Sequence, residues 1–497
     1  MLKLPPQPIL AFLFGALAVL GFAPFYFFPA TIIALTGILY LWAKAPSAKV
    51  CLKLGFQFGL GLYIVGIYWI YISLHDFGGM PWWFAGFCTF CLCVLMALFP
   101  ALVGYFSKRL TFLSISAPVL WGLSDWMRSW IFTGFPWLTI GYSQTPYSPL
   151  AGYMPMIGVY GVSTITVGIA GCISIWLTNK QQALNQRCQR NMMSVVTLLF
   201  AIGGLLTVVP WTSPQGEPFT ASLIQGNIPQ DIKWSPDSAE NTMRRYVAMT
   251  KESQADLIVL PETALPVIAS QLDPAIKDAL ETHAIENNSN VIVGMVDYDI
   301  STKEYFNSAF SLGKAPTQTY SKNHLVPFGE FIPLKSMLGW IYRDWLNVPL
   351  SGLSRGGTKQ KSMLLNNQKI AVNICYEDVF GEEIIQQLPE ATVLVNISND
   401  AWYGQSYAAD QHMQFSQARA LETGRMVLRS TNTGATAMIN QRGYVLAHAP
   451  HDVTTTLNVT AQGYQGTTPY VYWGNWPFII ISLGILIGIL TKRAKQR

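Results

Sequence analysis

A single cysteine, Cys375, lies in the polar half of the chain, directly after the apolar run of IAVNICYEDVF. The other six, Cys51, Cys88, Cys91, Cys93, Cys172 and Cys188, fall in the apolar first 210 residues or the loops between its hydrophobic stretches. A soluble domain with one cysteine forms no internal disulfide, so this thiol is either a small buried hydrophobe or a nucleophile. Two further ionisable residues follow expected strands: Glu262 after an apolar run in LIVLPETALP, and Lys322 in TYSKNHLVPFGE. Acyl transfer through a thiol needs a base to take and return a proton, and a group to stabilise the tetrahedral oxyanion. A thiol, a carboxylate and an ammonium at three strand ends have that chemistry. Spacing alone leaves open whether they converge.

The elements that must position them are legible from about residue 219 onward. Short runs rich in Val, Ile and Leu occur at 219–228, 257–260, 291–296, 371–375, 393–397 and 436–439, and their continuity predicts strands covered on both faces. Ser235-Pro236 and Asp273-Pro274 pair an N-cap residue with proline at the first helical position. Asp410 is the expected start of a helix through Glu422, with Gly424 as its stop. Alternating strands and helices predict one α/β domain around a covered sheet. The stretch 328–357, with Phe331, Met337, Leu338, Trp340, Tyr342, Trp345 and Leu346, reads as a long apolar loop that touches lipid.

The rest of the chain belongs to another solvent. Of 497 residues 51% are hydrophobic and 12% charged, against about 25% charged in an average soluble protein. Mean hydropathy is +0.29. Eight stretches approach the length a helix needs to cross ~30 Å of hydrocarbon: 8–24, 27–44, 53–74, 83–106, 113–131, 157–178, 193–210 and 474–491. Lys3 and Ala16-Leu17-Ala18 resemble a cleavable signal, but more hydrophobic stretches follow at once, and the first is expected to be retained. Lys and Arg cluster in alternate loops (Lys44, Lys49, Lys53; Lys108, Arg109; Lys180, Arg187, Arg190) and in the tail from Lys492. By the positive-inside rule both termini are expected in the cytoplasm and 212–473 outside it. Asp125 and Arg128 are expected to form a structural ion pair, and His324 to be a satisfied hydrogen-bonding residue. The net charge of +5 shows no basic run interleaved with aromatics, so no nucleic-acid surface is expected. Cys88, Cys91 and Cys93 lack His or acidic partners, and no metal or other cofactor is expected.

Motifs beyond the three residues decide the class. Glu262 in a PET turn, Lys322 before HLVPFGE and Cys375 in CYED resemble the Glu–Lys–Cys triad of the nitrilase, or carbon–nitrogen hydrolase, superfamily. GFPW at Gly134–Trp137, QGNIPQ at Gln225–Gln230 with KW following, SNDAWYG at Ser398–Gly404, and ETGR before the STNTG segment extend the likeness over essentially the whole chain. With hydrophobic spans on both sides, the chain resembles the membrane branch of that superfamily, the bacterial apolipoprotein N-acyltransferases.

The resemblance implies a multi-pass helical bundle of about eight spans with an extracytoplasmic nitrilase-like αββα sandwich. It implies a membrane domain over 1–211, a catalytic domain over 212–470, and a last span with a basic tail over 471–497. Cys375 becomes the nucleophile, Glu262 the general base and Lys322 the oxyanion stabiliser. Glu330, Tyr376, Glu377 and Trp234 become supporting residues of the pocket, Glu330 by holding Lys322 or the reacting groups. The implied reaction carries an acyl chain from a phospholipid through a cysteine thioester to the α-amine of a diacylated apolipoprotein. The enzyme is expected as a monomer in the bacterial inner membrane, with its catalytic domain periplasmic. The alternative is a membrane-tethered amidase or nitrilase that passes its acyl group to water.

Overall fold

The computed structural model describes residues 5–110, 113–181, 186–230, 232–332 and 352–495. These fall into two compact units. The first comprises Met1–Tyr71, Trp82–Val209 and Tyr472–Arg497; the second comprises Ile72–Pro81 and Pro210–Val471.

The first unit is helical. Its main helices are α1 (Gln7–Ala18), α2 (Phe28–Lys44), α3 (Ala48–Gly66), α4 (Trp82–Arg109), α5 (Leu113–Arg128), α6 (Met154–Gln181), α7 (Gln186–Leu206) and a last helix, Trp476–Lys495. Among the described residues, five apolar helical segments are long enough to cross a membrane, including Ala48–Gly66, Trp82–Arg109 and Trp476–Lys495. The third hydrophobic stretch ends as a helix at Gly66, earlier than its composition suggested, and Ile72–Pro81 joins the second unit. Helices meet through small residues, as where lipid tails offer no hydrophobic drive for association. A Cβ on Gly59 of α3 would stand 2.6 Å from Cα of Ala97 on α4. Asp125 and Arg128 do pair, at 2.8 Å and nearly without exposure. Arg128 also donates to the carbonyls of Phe135 and Trp137, while Asp125 accepts from the Ile140 amide, so the pair fixes the GFPW turn.

The second unit stacks two six-stranded sheets between helices. The first sheet runs β12-β1-β2-β3-β4-β5: β1 (Thr212–Gln225), β2 (Leu257–Val259), β3 (Asn290–Asp299), β4 (Glu304–Gly313), β5 (Thr319–Ser321) and β12 (Thr455–Gly466). The second runs β11-β10-β9-β8-β7-β6: β6 (Met363–Leu365), β7 (Gln368–Ile374), β8 (Val393–Ser398), β9 (Met426–Thr431), β10 (Ala437–Ile439) and β11 (Val445–His448). Strands β1, β2 and β3 are parallel, as are β7, β8 and β9.

Both faces of these strands are covered. Ile258 and Leu260 pack with Val291, Val293, Leu280 and Ala284 under α8 (Pro236–Lys251) and α9 (Pro274–Glu286). Leu394, Val427 and Ala371 pack with Met413 and Ala420 of α10 (Ala408–Thr423). Between the sheets, the Ser430 hydroxyl on β9 bonds the carbonyls of Ile224 on β1 and Val259 on β2, at 3.0 and 2.9 Å. The result is the expected helix–sheet–sheet–helix sandwich. Asp273 caps α9 through the Ala275 amide, and Gly424 ends α10 at φ +64°. Helix α10 starts at Ala408, two residues before the expected Asp410. Strands β4, β6, β9, β11 and β12 have no counterpart in the sequence reading, whereas β5 is the strand expected just before Lys322. Most of the apolar loop expected at 328–357 lies outside the described residues.

One close approach ties β3 to the turn after β2. A Cβ on Gly294 would stand 2.6 Å from the Pro261 carbonyl oxygen, 2.6 Å from the Thr263 amide nitrogen and 2.9 Å from Cα of Glu262. All three atoms are backbone and cannot rotate aside. Gly294→Ala is expected to destabilise the protein by ~1–3 kcal/mol through overpacking, read as a lower midpoint in thermal or chemical denaturation.

Candidate active site

The site is built where strands of both sheets end. Glu262 follows β2 after Leu260-Pro261, Lys322 follows β5 directly, and Cys375 follows β7 directly. Cys375 has φ +53° and Thr263, next to Glu262, has φ +45°. These are left-handed conformations that cost a residue with a Cβ roughly 1–2 kcal/mol. Strain at two of the three strand ends marks turns that the surrounding structure over-determines.

Three of the expected residues are in contact. The Lys322 ammonium, with no exposed surface, donates to Glu330 Oε1 at 2.9 Å and approaches Glu262 Oε1 at 3.4 Å. Asn307 on β4 donates its amide N–H to the same two carboxylates, at 2.7 and 3.0 Å. Asn307 also accepts, through its backbone carbonyl, the Lys322 amide at 2.8 Å. The second oxygen of Glu330 takes the Val326 amide at 2.8 Å. Burial opposes the charge on Lys322, but Glu330 and then Glu262 outweigh it and hold its pKa well above the ordinary lysine value. Lys322 is thus a fixed ammonium.

Cys375 feels both members of that pair. Burial raises its thiol pKa strongly, the Glu262 carboxylate raises it further, and Lys322 opposes both. The thiol therefore rests protonated. A hydrogen bond with the Ser398 side chain also acts on it.

The supporting residues divide in their roles. Glu330 fastens Lys322, as above. Glu377 points away from this contact: its carboxylate accepts from the Tyr320 hydroxyl (3.0 Å), the amides of Asn323 (2.7 Å) and His324 (3.2 Å), and the amide of Ile374 (2.7 Å). It ties the residues after Lys322 to the residue before Cys375. Tyr376 is buried edge-on against Phe380, with centroids 5.1 Å apart, and meets the His324 ring at 5.7 Å. His324 itself stacks on Phe380 and bonds Glu383 at 2.6 Å, so it is satisfied as expected. Trp234 is half-buried beside the fully enclosed Lys233.

A second polar cluster, absent from the sequence reading, lies behind Cys375. His412 of α10 reaches the Cys375 carbonyl (3.1 Å), Asp378 (2.9 Å) and Asp400 (2.8 Å). Arg429 of β9 bridges the same two aspartates at 3.0 Å each and donates to Asn396 at 2.8 Å. Asn396 in turn donates to the Cys375 carbonyl at 3.2 Å. Burial alone would raise Asp400, but His412 and Arg429 bring it down to about 2. Burial and Arg429 would lower His412, but Asp378 and Asp400 raise it to about 9. Two cations and two anions thus balance in a closed site and hold the strained Cys375 turn from behind. The available signal was a charged residue, Arg429, directly after the apolar Met426–Leu428.

A buried carboxylate–ammonium–thiol group at the strand ends of an αββα sandwich defines a carbon–nitrogen hydrolase domain, and residues 220–470 match the family described as carbon-nitrogen hydrolase. Residues 14–172 match the apolipoprotein N-acyltransferase N-terminal domain. The chain is 46% identical to the apolipoprotein N-acyltransferase of Nitrosomonas europaea, over 98% of each chain. It is 38% identical to that of Chromobacterium violaceum, over 96% of this chain and 92% of the relative. It is 37% identical to that of Methylococcus capsulatus, over 98% and 96%. The chain belongs to the apolipoprotein N-acyltransferase family, as its motifs suggested.

Glu377 gives a pH prediction. Burial raises its carboxyl to about 7, against the pull of the Ile374 and Asn323 amides. Its folded pKa exceeds the unfolded value, so the native state binds this proton more tightly. Ionising it costs stability, which falls as pH rises from about 4.5 to 7. Glu377→Gln removes that dependence. The stability difference, variant minus wild type, is expected to move in the variant's favour by on the order of 3 kcal/mol across this window. Melting of both proteins in detergent across that pH range checks it.

Proposed function

We propose that this protein transfers an acyl chain from a membrane phospholipid, through a thioester on Cys375, to the α-amine of the N-terminal S-diacylglyceryl-cysteine of apolipoproteins. The observation that carries the reading is the buried Lys322 ammonium held by Glu330 and Glu262 beside the Cys375 thiol. The names of the full-length relatives supply the acceptor.

The electrostatics suit each role. Because Cys375 rests protonated, a base must act as it attacks, and Glu262 is the carboxylate whose charge reaches the thiol. As Sγ bonds to the ester carbonyl carbon, Glu262 takes the thiol proton and the carbonyl oxygen gains negative charge. Lys322, locked as an ammonium, stabilises that oxyanion and does not give up its own proton. Collapse breaks the ester C–O bond, and Glu262 returns the proton to the departing lysophospholipid hydroxyl. The acceptor amine then attacks the thioester carbon. Glu262 takes the amine proton and passes it to the leaving thiolate as the amide forms.

The distribution of Lys and Arg supports eight spans with both termini in the cytoplasm and the α/β unit in the periplasm. On that reading, a membrane-impermeant maleimide applied to intact spheroplasts labels a cysteine placed at Ile300, on an exposed hairpin tip, and not one placed at Lys49. Label at Lys49 with none at Ile300 reverses the orientation.

Phospholipid mixed with the full chain is expected to yield a hydroxylamine-sensitive acyl adduct on Cys375, and a diacylated lipopeptide then to gain an amide-linked chain. Cys375→Ala abolishes the adduct, and Cys172→Ala leaves it. Glu262→Gln and Lys322→Met lower the rate of adduct formation by ~10²–10⁴-fold. Release of free fatty acid with no acylated lipopeptide would instead identify a membrane-tethered hydrolase.

A further inference from the structure

Lys233 stands one residue before Trp234, on the segment joining β1 to α8, and is 1% exposed. Its ammonium donates to the backbone carbonyl of Glu262 at 3.2 Å and to the Thr263 hydroxyl at 2.7 Å. Both acceptors are neutral, whereas Lys322 has carboxylate partners. A buried ammonium without a bonded carboxylate is costly, and a methionine would fill a similar space without that cost. What the charge achieves locally is specific. Its two bonds bracket the peptide between Glu262 and Thr263, the residue strained at φ +45°, and that peptide directs the Glu262 side chain toward Lys322 and Cys375.

We propose that Lys233 is a positioning residue that fastens the segment carrying Trp234 to the backbone of Glu262, so that the base is aligned for proton transfer only while that segment is seated. The inference rests on the acyl-transfer reading above. Glu262 is the charged group that acts on Lys233. Lys322 meets the Glu262 carboxylate rather than Lys233, and Glu330 meets it through Asn307. Burial draws the Lys233 pKa down to about 8, with Glu262 pulling it back up. The side chain is therefore cationic at neutral pH. Above about 8 it loses the charge that strengthens its two bonds, and the rate of Cys375 acylation falls.

The test measures Cys375 acylation by phospholipid, with the full chain in mixed micelles, between about pH 6.5 and 9.5, alongside thermal melting. Lys233→Met is expected to slow acylation by ~10²-fold, the scale of a ~1 Å misplacement, while the apparent KM for phospholipid and the melting midpoint stay near wild type. Lys233→Arg keeps a permanent charge, so it recovers a large part of the rate and lacks the fall above about pH 8. An acylation rate for Lys233→Met within a few-fold of wild type overturns the proposal. So does a Lys233→Arg profile with the wild-type limb intact. If Lys233→Met does not fold, the Lys233→Arg profile decides alone. If the wild-type protein forms no acyl-Cys375, it is the acyl-transfer reading that fails.

Discussion

The structure depends on keeping one ammonium, Lys322, dry. A charge without exposed surface is several kcal/mol unfavourable unless its partners are close and themselves satisfied. Lys322 has Glu330 and Glu262, both carboxylates share the Asn307 amide, and Glu330 also takes the Val326 amide. These groups come from four places in the chain: the turn after β2, strand β4, the end of β5 and the segment beyond it. The sandwich must therefore form before the site exists. Removing Lys322 leaves two buried carboxylates without their counter-charge, which is far more disruptive than losing the contact alone.

A second closed cluster performs the same service for the backbone. The Cys375 turn is strained, and its carbonyl is tied to side chains behind it. His412 and Asn396 supply the donors, and Asp378, Asp400 and Arg429 hold those two in place. Glu377 adds a third tie by joining the residue before Cys375 to the two residues after Lys322. The distance between thiol and ammonium is thus set through backbone on both sides.

What the sequence made legible follows from this arrangement. Glu262, Lys322 and Cys375 each follow a run of residues that extends to a strand end, so both their placement and their chemistry could be read. Strands β2, β3, β7 and β8 were legible because both faces are covered and their runs are rich in Val, Ile and Leu. Strand β4, EYFNSAFSLG, was not: it buries Asn307, Ser308 and Ser311, polar residues whose side-chain partners lie elsewhere in the chain, from Glu262 to Ser321 and Glu330. Strand β12 was hidden because it pairs with β1 from more than 200 residues away and is partly exposed. The tie made by Glu377 was out of reach for a different reason. CYED puts Glu377 beside the nucleophile in sequence, yet its carboxylate faces main-chain N–H groups that no motif displays.

The protonated state of Cys375 joins the chemistry to its setting. A resting thiolate on the proposed periplasmic side would be open to oxidation, since the thiolate is the species that reacts. Burial and the Glu262 carboxylate keep the thiol protonated, so the nucleophile forms only when a carbonyl carbon is there to accept it. The same two groups that suppress the resting thiolate also serve turnover. In the proposed reaction Glu262 would accept the proton that its charge helps to keep on the thiol, and the enclosure that raises the thiol pKa would exclude the water that hydrolyses a thioester. On the same proposal Lys322 would tip the balance at the moment of attack, because the charge it could not fully stabilise on sulfur moves to the carbonyl oxygen. A lone cysteine outside the membrane half is in this way kept inert until an ester approaches it.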